Sequence, residues 1–297
     1  MRAGFIGAGK VGFSLGKYLK ENGVEITGYF SKSPESAKSA ADFTNTKLYK
    51  SIENILSDSD TLFITVPDGQ ISKVWDYMKN LDIKNKNICH CSGSISSTVF
   101  FDGESLGANI YSVHPLYAIS DKCESWKHLN KAYFTVEGSA ENLDEIKSIF
   151  ERAGNKVIAM GAENKSLYHC GAVVVSNLVN GLFQVGAEML VKCGFDKKDA
   201  KKALVPLFTG NADTLAEKGV EAALTGPVER NDLSTITKHI EAIKAAWINE
   251  SEEKVGYEMI YLLLSEKLLS IAQEKHLDSD YLKMTEVIKN EKHSIHF

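Results

Sequence analysis

Proline is scarce, five residues in 297, and neither a low-complexity stretch nor an internal repeat interrupts the chain. That leaves no room for Pro-rich linkers or repeat arrays. The five cysteines are an odd number, dispersed along the sequence. They give no disulfide framework and suit reduced thiols in a cytosol. A basic block is also missing: 39 acids against 34 bases leave a net charge of −5 spread along the chain, which argues against nucleic acid as a partner. The most apolar segment, residues 172–183, is broken by Ser176, Asn177 and Asn180, so no membrane-spanning helix is expected. Met1-Arg2 leads straight into a strand-like run with no secretory signal. What remains is an ordinary globular composition, 43% hydrophobic and 25% charged, in a chain long enough for two domains and expected in the cytoplasm.

The first chemistry-bearing feature follows the first strand. Residues 2–6 are apolar and run into Gly7-Ala8-Gly9-Lys10-Val11-Gly12, which opens a helix ending near Asn22-Gly23. In a Gly-x-Gly-x-x-Gly placed between strand and helix, Gly7 permits the tight turn and Gly9 lets backbone approach a pyrophosphate. Gly12 lets the helix pack closely on the strand. The helix N-terminus adds free N–H groups and a positive dipole end. Ser31-Lys32-Ser33 ends the second strand, where an NAD enzyme usually carries an acid for the ribose 2′-hydroxyl. Hydroxyls and a cation there fit a 2′-phosphate instead, and so NADP, although Ser31 and Ser33 could also simply start the next helix.

Strand and helix then alternate to residue 160, with strands at 47–49, 61–66, 87–91, 109–113, 132–137 and 156–160. Such alternation predicts a doubly wound, mainly parallel sheet whose ligands sit beyond the carboxyl ends of its strands. Those ends carry Val66-Pro67-Asp68, Ser92-Gly93-Ser94 and His114-Pro115. His114, directly after an apolar strand, is either a site residue or a cap. Cys89-His90-Cys91 invites a metal reading. On a strand, however, the cysteines face one way and the histidine the other, and no further ligand pair completes a tetrahedron, so no metal is expected.

Beyond residue 160 nothing reads as a strand. Asn164 to Lys192 reads as one long helix, apolar round most of its circumference. At about 100° per residue, Lys165, His169, Ala172, Ser176 and Asn180 share a single stripe. A helix of this kind belongs in a core, and its polar stripe must then be satisfied internally or face a ligand. Helices at 196–218, 232–246, 252–275 and 279–291 complete an all-α domain. Before the second of these, Thr225 to Asp232 is irregular; its Arg230 is either a surface residue or an anion clamp.

Taken together, these features resemble the Rossmann-plus-helical dehydrogenases related to β-hydroxyacid dehydrogenases, 6-phosphogluconate dehydrogenase and pyrroline-5-carboxylate reductase. Within that superfamily the chain is most similar to Rossmann-like proteins carrying domain of unknown function 2520. His90-Cys91-Ser92-Gly93, His114-Pro115-Leu116, Tyr168-His169 with Ser176-Asn177, and Thr225-Gly226-Pro227 carry that match. In β-hydroxyacid dehydrogenases the interdomain helix bears a catalytic lysine and, one turn later, an asparagine. Lys165 matches the lysine, whereas the later position is His169, which can transfer a proton where an amide only positions.

The expectation is therefore an NADP-binding Rossmann domain over residues 1–160 and a helical substrate and dimerisation domain over 161–297. The protein would move hydride between nicotinamide and a small polar substrate, carbonyl or imine, in the cleft between domains. Gly7, Ala8, Gly9, Lys10, Val11 and Gly12 would hold the cofactor, with Ser31, Lys32, Ser33, Val66 and Pro67. Lys165 and His169 would be catalytic; Ser92, Gly93, His114, Ser176, Asn177 and Arg230 would meet substrate. An NADP-binding redox sensor without turnover is the alternative. A homodimer is expected, because the apolar helix and the amphipathic 252–275 segment have more apolar surface than one small domain covers.

Overall fold

The computed structural model describes residues 1–295, in two compact units that meet between Val175 and Ser176 in the sequence. The first unit is built on β1 (Arg2–Ile6), α1 (Lys10–Glu21), β2 (Glu25–Phe30), α2 (Pro34–Thr44), β3 (Lys47–Leu48), α3 (Ile52–Asp58), β4 (Thr61–Ile64) and α4 (Asp68–Met78). It continues through β5 (Asn87–His90), β6 (Asn109–Leu116), β7 (Tyr133–Gly138), α5 (Leu143–Arg152), β8 (Lys156–Ala159) and α6 (Lys165–Val175). The strands form one sheet in the order β3-β2-β1-β4-β5-β6-β7-β8. Strand order reverses between β1 and β4, which makes the ends of those two strands the switch point where such sheets bind ligands.

Residues of β4 and β5 are all buried, as expected of parallel strands covered on both faces. Phe5 stacks between Tyr29 and Phe63, each at 5.3 Å, while Ile6, Ile64, Trp75 and Phe100 belong to a second buried cluster. Burying a ring of this size contributes about 2–3 kcal/mol. Ser33 and Ser51 cap α2 and α3 by accepting the backbone N–H groups of Ser36 and Asn54.

The last part of the sheet differs from the expected parallel pattern. β7 runs antiparallel to β6, pairing Tyr111 with Gly138 through Leu116 with Tyr133. β5 ends level with Ser112, so β7 alone carries β6 on to Leu116. His114 consequently lies inside a strand rather than in the loop after it.

The second unit holds α7 (Asn177–Lys192), α8 (Lys197–Lys218), α9 (Val220–Ala223), α10 (Leu233–Ala246), α11 (Ser251–Lys275) and α12 (Leu282–Ser294). Asp196 and Asp232 cap α8 and α10, and Ile236, Ile240, Leu262, Leu269, Met284 and Ile288 form its core.

The helix expected from Asn164 to Lys192 is two helices. Ser176, at φ −119 and ψ −75, interrupts the helix for one residue, and its hydroxyl donates to Asn177 Oδ1. Nor is this stretch a core element of the single chain. Leu167, Val175 and Leu178 are 77%, 75% and 57% exposed. By length and composition alone, residues 162–192, with mean hydropathy 1.4 in the most apolar window and 6% of it buried, match a membrane-crossing helix. The polar interruptions weighed in the sequence do not bring its hydropathy below that level.

Candidate functional site

The glycine turn has the shape its three glycines require. Gly7 sits at φ +109 with Thr65 backbone 2.8 Å from where a Cβ would be, and its N–H donates to the Phe30 carbonyl at 2.8 Å. At Gly12 a Cβ would fall 2.3 Å from Thr65 Oγ1 and 2.4 Å from the Gly7 carbonyl, so α1 packs directly on the turn. Gly9 is the opposite case, with nothing within 4 Å of its Cβ position. It is exposed and N-caps α1 with no side-chain hydrogen bond. The first-turn N–H groups of an α-helix have no partner within the helix, and no acid occupies this first turn. Open space in front of a helix N-terminus is the cradle a pyrophosphate needs. Ala8 is buried beneath the turn, Lys10 is exposed and Val11 half-buried.

At the end of β2 the hydrogen bonds show the helix-starting role of the serines. Ser31 Oγ accepts the Ser33 N–H at 3.4 Å, and Ser33 Oγ accepts the Ser36 N–H at 3.2 Å and donates to Glu35 at 3.0 Å. The two serines therefore shape the turn and cap α2, while Lys32 stands exposed between them. At the end of β4, Val66 is half-buried and Pro67, exposed, precedes α4.

Further along the sheet, polar residues on β6 and β7 share one face. Ser112 and His114 are two residues apart on β6, and their partners across the ladder are Glu137 and Thr135. α6 lies over them with Lys165 and Tyr168, neighbours at three-residue helical spacing. Lys165, 1% exposed, donates through Nζ to Ser112 Oγ at 2.6 Å. Tyr168 pairs its hydroxyl with His114 Nδ1 at 2.7 Å. Two rungs result: Glu137–Ser112–Lys165 and Thr135–His114–Tyr168. Beside them, a Cβ on Gly93 would lie 2.8 Å from His169 Cδ2 and 2.9 Å from His114 Nε2. Gly93 is thus the space that lets the two imidazoles converge.

Burial sets the charges here. It lowers Lys165 from the usual lysine range, against the opposing pull of Glu137, Cys91 and Asp68. Burial, reinforced by Lys165 and then His169, takes His114 down to about 3. Burial also takes His90 down to about 4, although the hydrogen bond to the Ser96 carbonyl pulls the other way. The Tyr168 phenol is raised, by burial first, so it keeps its proton. Burial pushes the Cys91 thiol up to about 12, which leaves it neutral.

Ser92 is committed to its loop. Its hydroxyl donates to Asp68 Oδ2 at 2.8 Å and accepts the Ser94 and Ile95 N–H groups at 3.2 and 3.1 Å. Its N–H donates to His90 Nδ1 at 3.2 Å, leaving the His90 Nε2 proton for the Ser96 carbonyl at 3.1 Å. His90 is therefore a neutral loop anchor. Among the described residues no group of three potential metal ligands occurs. Ser176, Asn177 and Arg230 lie in the second unit, all exposed. Ser112, Glu137 and Tyr168 were not singled out as site residues from the sequence. Their signal was available as polar residues at alternate positions of otherwise apolar strands, and as a tyrosine three residues after Lys165.

Residues 2–89 match the family model described as NADP oxidoreductase coenzyme F420-dependent, and residues 132–267 match that of a domain of unknown function, DUF2520. The chain pairs an NADP-oxidoreductase Rossmann unit with a DUF2520 domain. It is of the oxidoreductase class and its nucleotide is NADP(H). The DUF2520 match begins just before β7 and takes in Glu137, Lys165, Tyr168 and His169. A search of curated proteins found no match. Among solved structures, protein TM1727 from Thermotoga maritima is 25% identical, with 92% of this chain and 99% of that chain covered at TM-score 0.72. A reductive aminase from Aspergillus terreus in complex with NADPH and ethyl-5-oxohexanoate is 14% identical, covering 96% and 98% at TM-score 0.60. A Streptomyces aurantiacus imine reductase is 13% identical, covering 94% and 100% at TM-score 0.62. At these last two identities the likeness is one of fold.

Proposed function

We propose that the protein transfers hydride between NADP(H) and a small polar substrate with a C=O or C=N bond, beside the polar cluster of β6 and α6. Lys165 carries this reading. An amine 1% exposed and 2.6 Å from a serine hydroxyl costs folding free energy. Groups held at such cost, with their proton affinity shifted by burial, concentrate at functional sites. Gly7, Gly9 and Gly12 would hold the pyrophosphate, and Lys32 the 2′-phosphate. Bound NADP(H) supplies or accepts the hydride.

His169, half-buried beside Gly93, exchanges the proton at the reacting oxygen or nitrogen. Lys165, one helical turn away at about 6 Å along the axis, supplies positive charge where negative charge develops. His114, neutral and tied to Tyr168, orients the substrate. The test is to mix purified protein with NADPH and a panel of carbonyl compounds and imines and follow nicotinamide absorbance. Turnover of a panel member supports the reading. Tight NADPH binding with no turnover across the panel favours the redox-sensor alternative.

A homodimer in the cytoplasm belongs to the same reading. Leu167 and Val175 in the first unit, and Leu178 and Leu207 in the second, are exposed, and exposed apolar side chains of this kind are what a second copy covers. Cys170 and Cys193 are exposed free thiols, which suits a reducing compartment. Light scattering at micromolar concentration should give a dimer mass without detergent. A monomer, or protein recovered only with membranes, contradicts it.

A further inference from the structure

Ser112 touches Lys165, but a hydroxyl carries no charge, and among the described residues the ammonium is the only cation bonded into this cluster. The strand ladder puts a carboxylate in reach. Glu137 is 3% exposed and stands directly opposite Ser112, on the same sheet face, where opposed Cβ atoms lie about 5 Å apart. Its two oxygens are both acceptors. The Ser97 N–H donates to one at 2.6 Å and the Ser97 hydroxyl to the other at 2.7 Å, the pattern of an ionised carboxylate rather than of an acid with a proton to give.

Other charges near Lys165 are weaker candidates. Cys91 is a neutral thiol at working pH. Asp68 is exposed and shared by the Ser92 and Ser94 hydroxyls. His90 and His114 are neutral and, when protonated, would repel the amine; Tyr168, on the same helix, keeps its proton.

We propose that Glu137, clamped by Ser97 and facing Lys165 across Ser112, is the buried counter-charge that keeps the Lys165 amine cationic behind the site. It is a positioning residue, acting through Lys165 rather than on substrate. Its role in turnover rests on the function proposed above, but the charge coupling can be read with no substrate present.

The measurement is the titration of Lys165 itself, followed by NMR of protein carrying 13Cε-labelled lysine and assigned by the signal lost in Lys165→Met. Glu137→Gln keeps size and shape and removes the charge, so the Lys165 midpoint should fall by about one pH unit or more. Glu137→Asp should recover part of that shift. Ser97→Ala disturbs the same contact but leaves the carboxylate, so the midpoint should stay near that of the wild type. An unmoved midpoint in folded Glu137→Gln, or an equal fall in Ser97→Ala, would overturn the proposal. If Glu137→Gln does not fold, the reciprocal arm decides. Coupling is symmetric, so in Lys165→Met the Glu137 carboxyl, followed through 13Cδ, must titrate higher than in the wild type. An unchanged Glu137 midpoint there refutes the pairing. None of these outcomes depends on finding the substrate, so a failed pairing and a failed functional reading are told apart.

Discussion

His114 of β6 and Tyr168 of α6 meet edge to face, ring centroids 5.6 Å apart at 84°, with imidazole Nδ1 2.7 Å from the phenol oxygen. One bond thus ties the helix that follows the sheet to the strand at its antiparallel end. The neighbouring rung ties the same two elements through Lys165 and Ser112. Two imidazoles of this region, His90 and His114, are held neutral by burial.

That neutrality has a pH consequence with a definite sign. His90 is lowered to about 4 and His114 to about 3, while an unfolded histidine titrates near 6.5. As pH falls below about 6.5 the unfolded chain takes up protons that the folded chain refuses, so stability falls, by about 1.4 kcal/mol per pH unit for each group. The loss runs down toward the folded values. Melting temperature should drop between about pH 7 and pH 5, and His114→Asn should make the slope shallower. A melting temperature flat over that window contradicts the burial assigned to both rings.

The glycine turn offers a paired test. Gly9→Ala adds a methyl into open space at an ordinary φ of −75, so stability should hold while NADPH affinity falls about tenfold or more. Gly12→Ala drives a Cβ to within 2.3 Å of Thr65 Oγ1, and overpacking of this kind costs about 1–3 kcal/mol. Calorimetry should find lost binding without lost stability at Gly9, and lost stability at Gly12. Full NADPH affinity in Gly9→Ala would remove the pyrophosphate from this turn.

Cofactor choice should follow Lys32. With Ser31 and Ser33 occupied in shaping the turn, the exposed ammonium is left to meet a 2′-phosphate. NADPH should bind at least about tenfold tighter than NADH, about 1.4 kcal/mol. Lys32→Ala should erode that gap and raised salt should narrow it. Equal affinities for the two nucleotides would contradict the assignment.

Much of this architecture is legible in the residues. All eight strands, the glycine turn and the helical second half follow from apolar periodicity and from Gly, Ser and Asp at element ends. What escapes is relational. The antiparallel turn of β7 brings Glu137 opposite Ser112, and nothing local in residues 133–138 announces which strand they pair with or in which direction. The break at Ser176 escapes because one serine after three valines hardly disturbs a helical pattern. The exposure of Leu167, Val175 and Leu178 escapes because periodicity shows that a face is apolar, not what covers it. Ser92 looked free because a strand-end serine does not reveal that Asp68 and two N–H groups already claim it.

The most direct test of the central claim is NADPH consumption by Lys165→Met beside NADPH binding by the same variant, on a substrate the wild type turns over. Methionine keeps the length of the side chain and removes its charge and proton. The prediction is a native melting profile, NADPH affinity within a few-fold of wild type, and turnover lower by about 10²-fold or more. His169→Ala should be similarly impaired, and His169→Asn equally poor if the imidazole moves a proton. Full turnover in a folded Lys165→Met protein would contradict the account, for the buried amine on α6 would then be a core residue and nothing more.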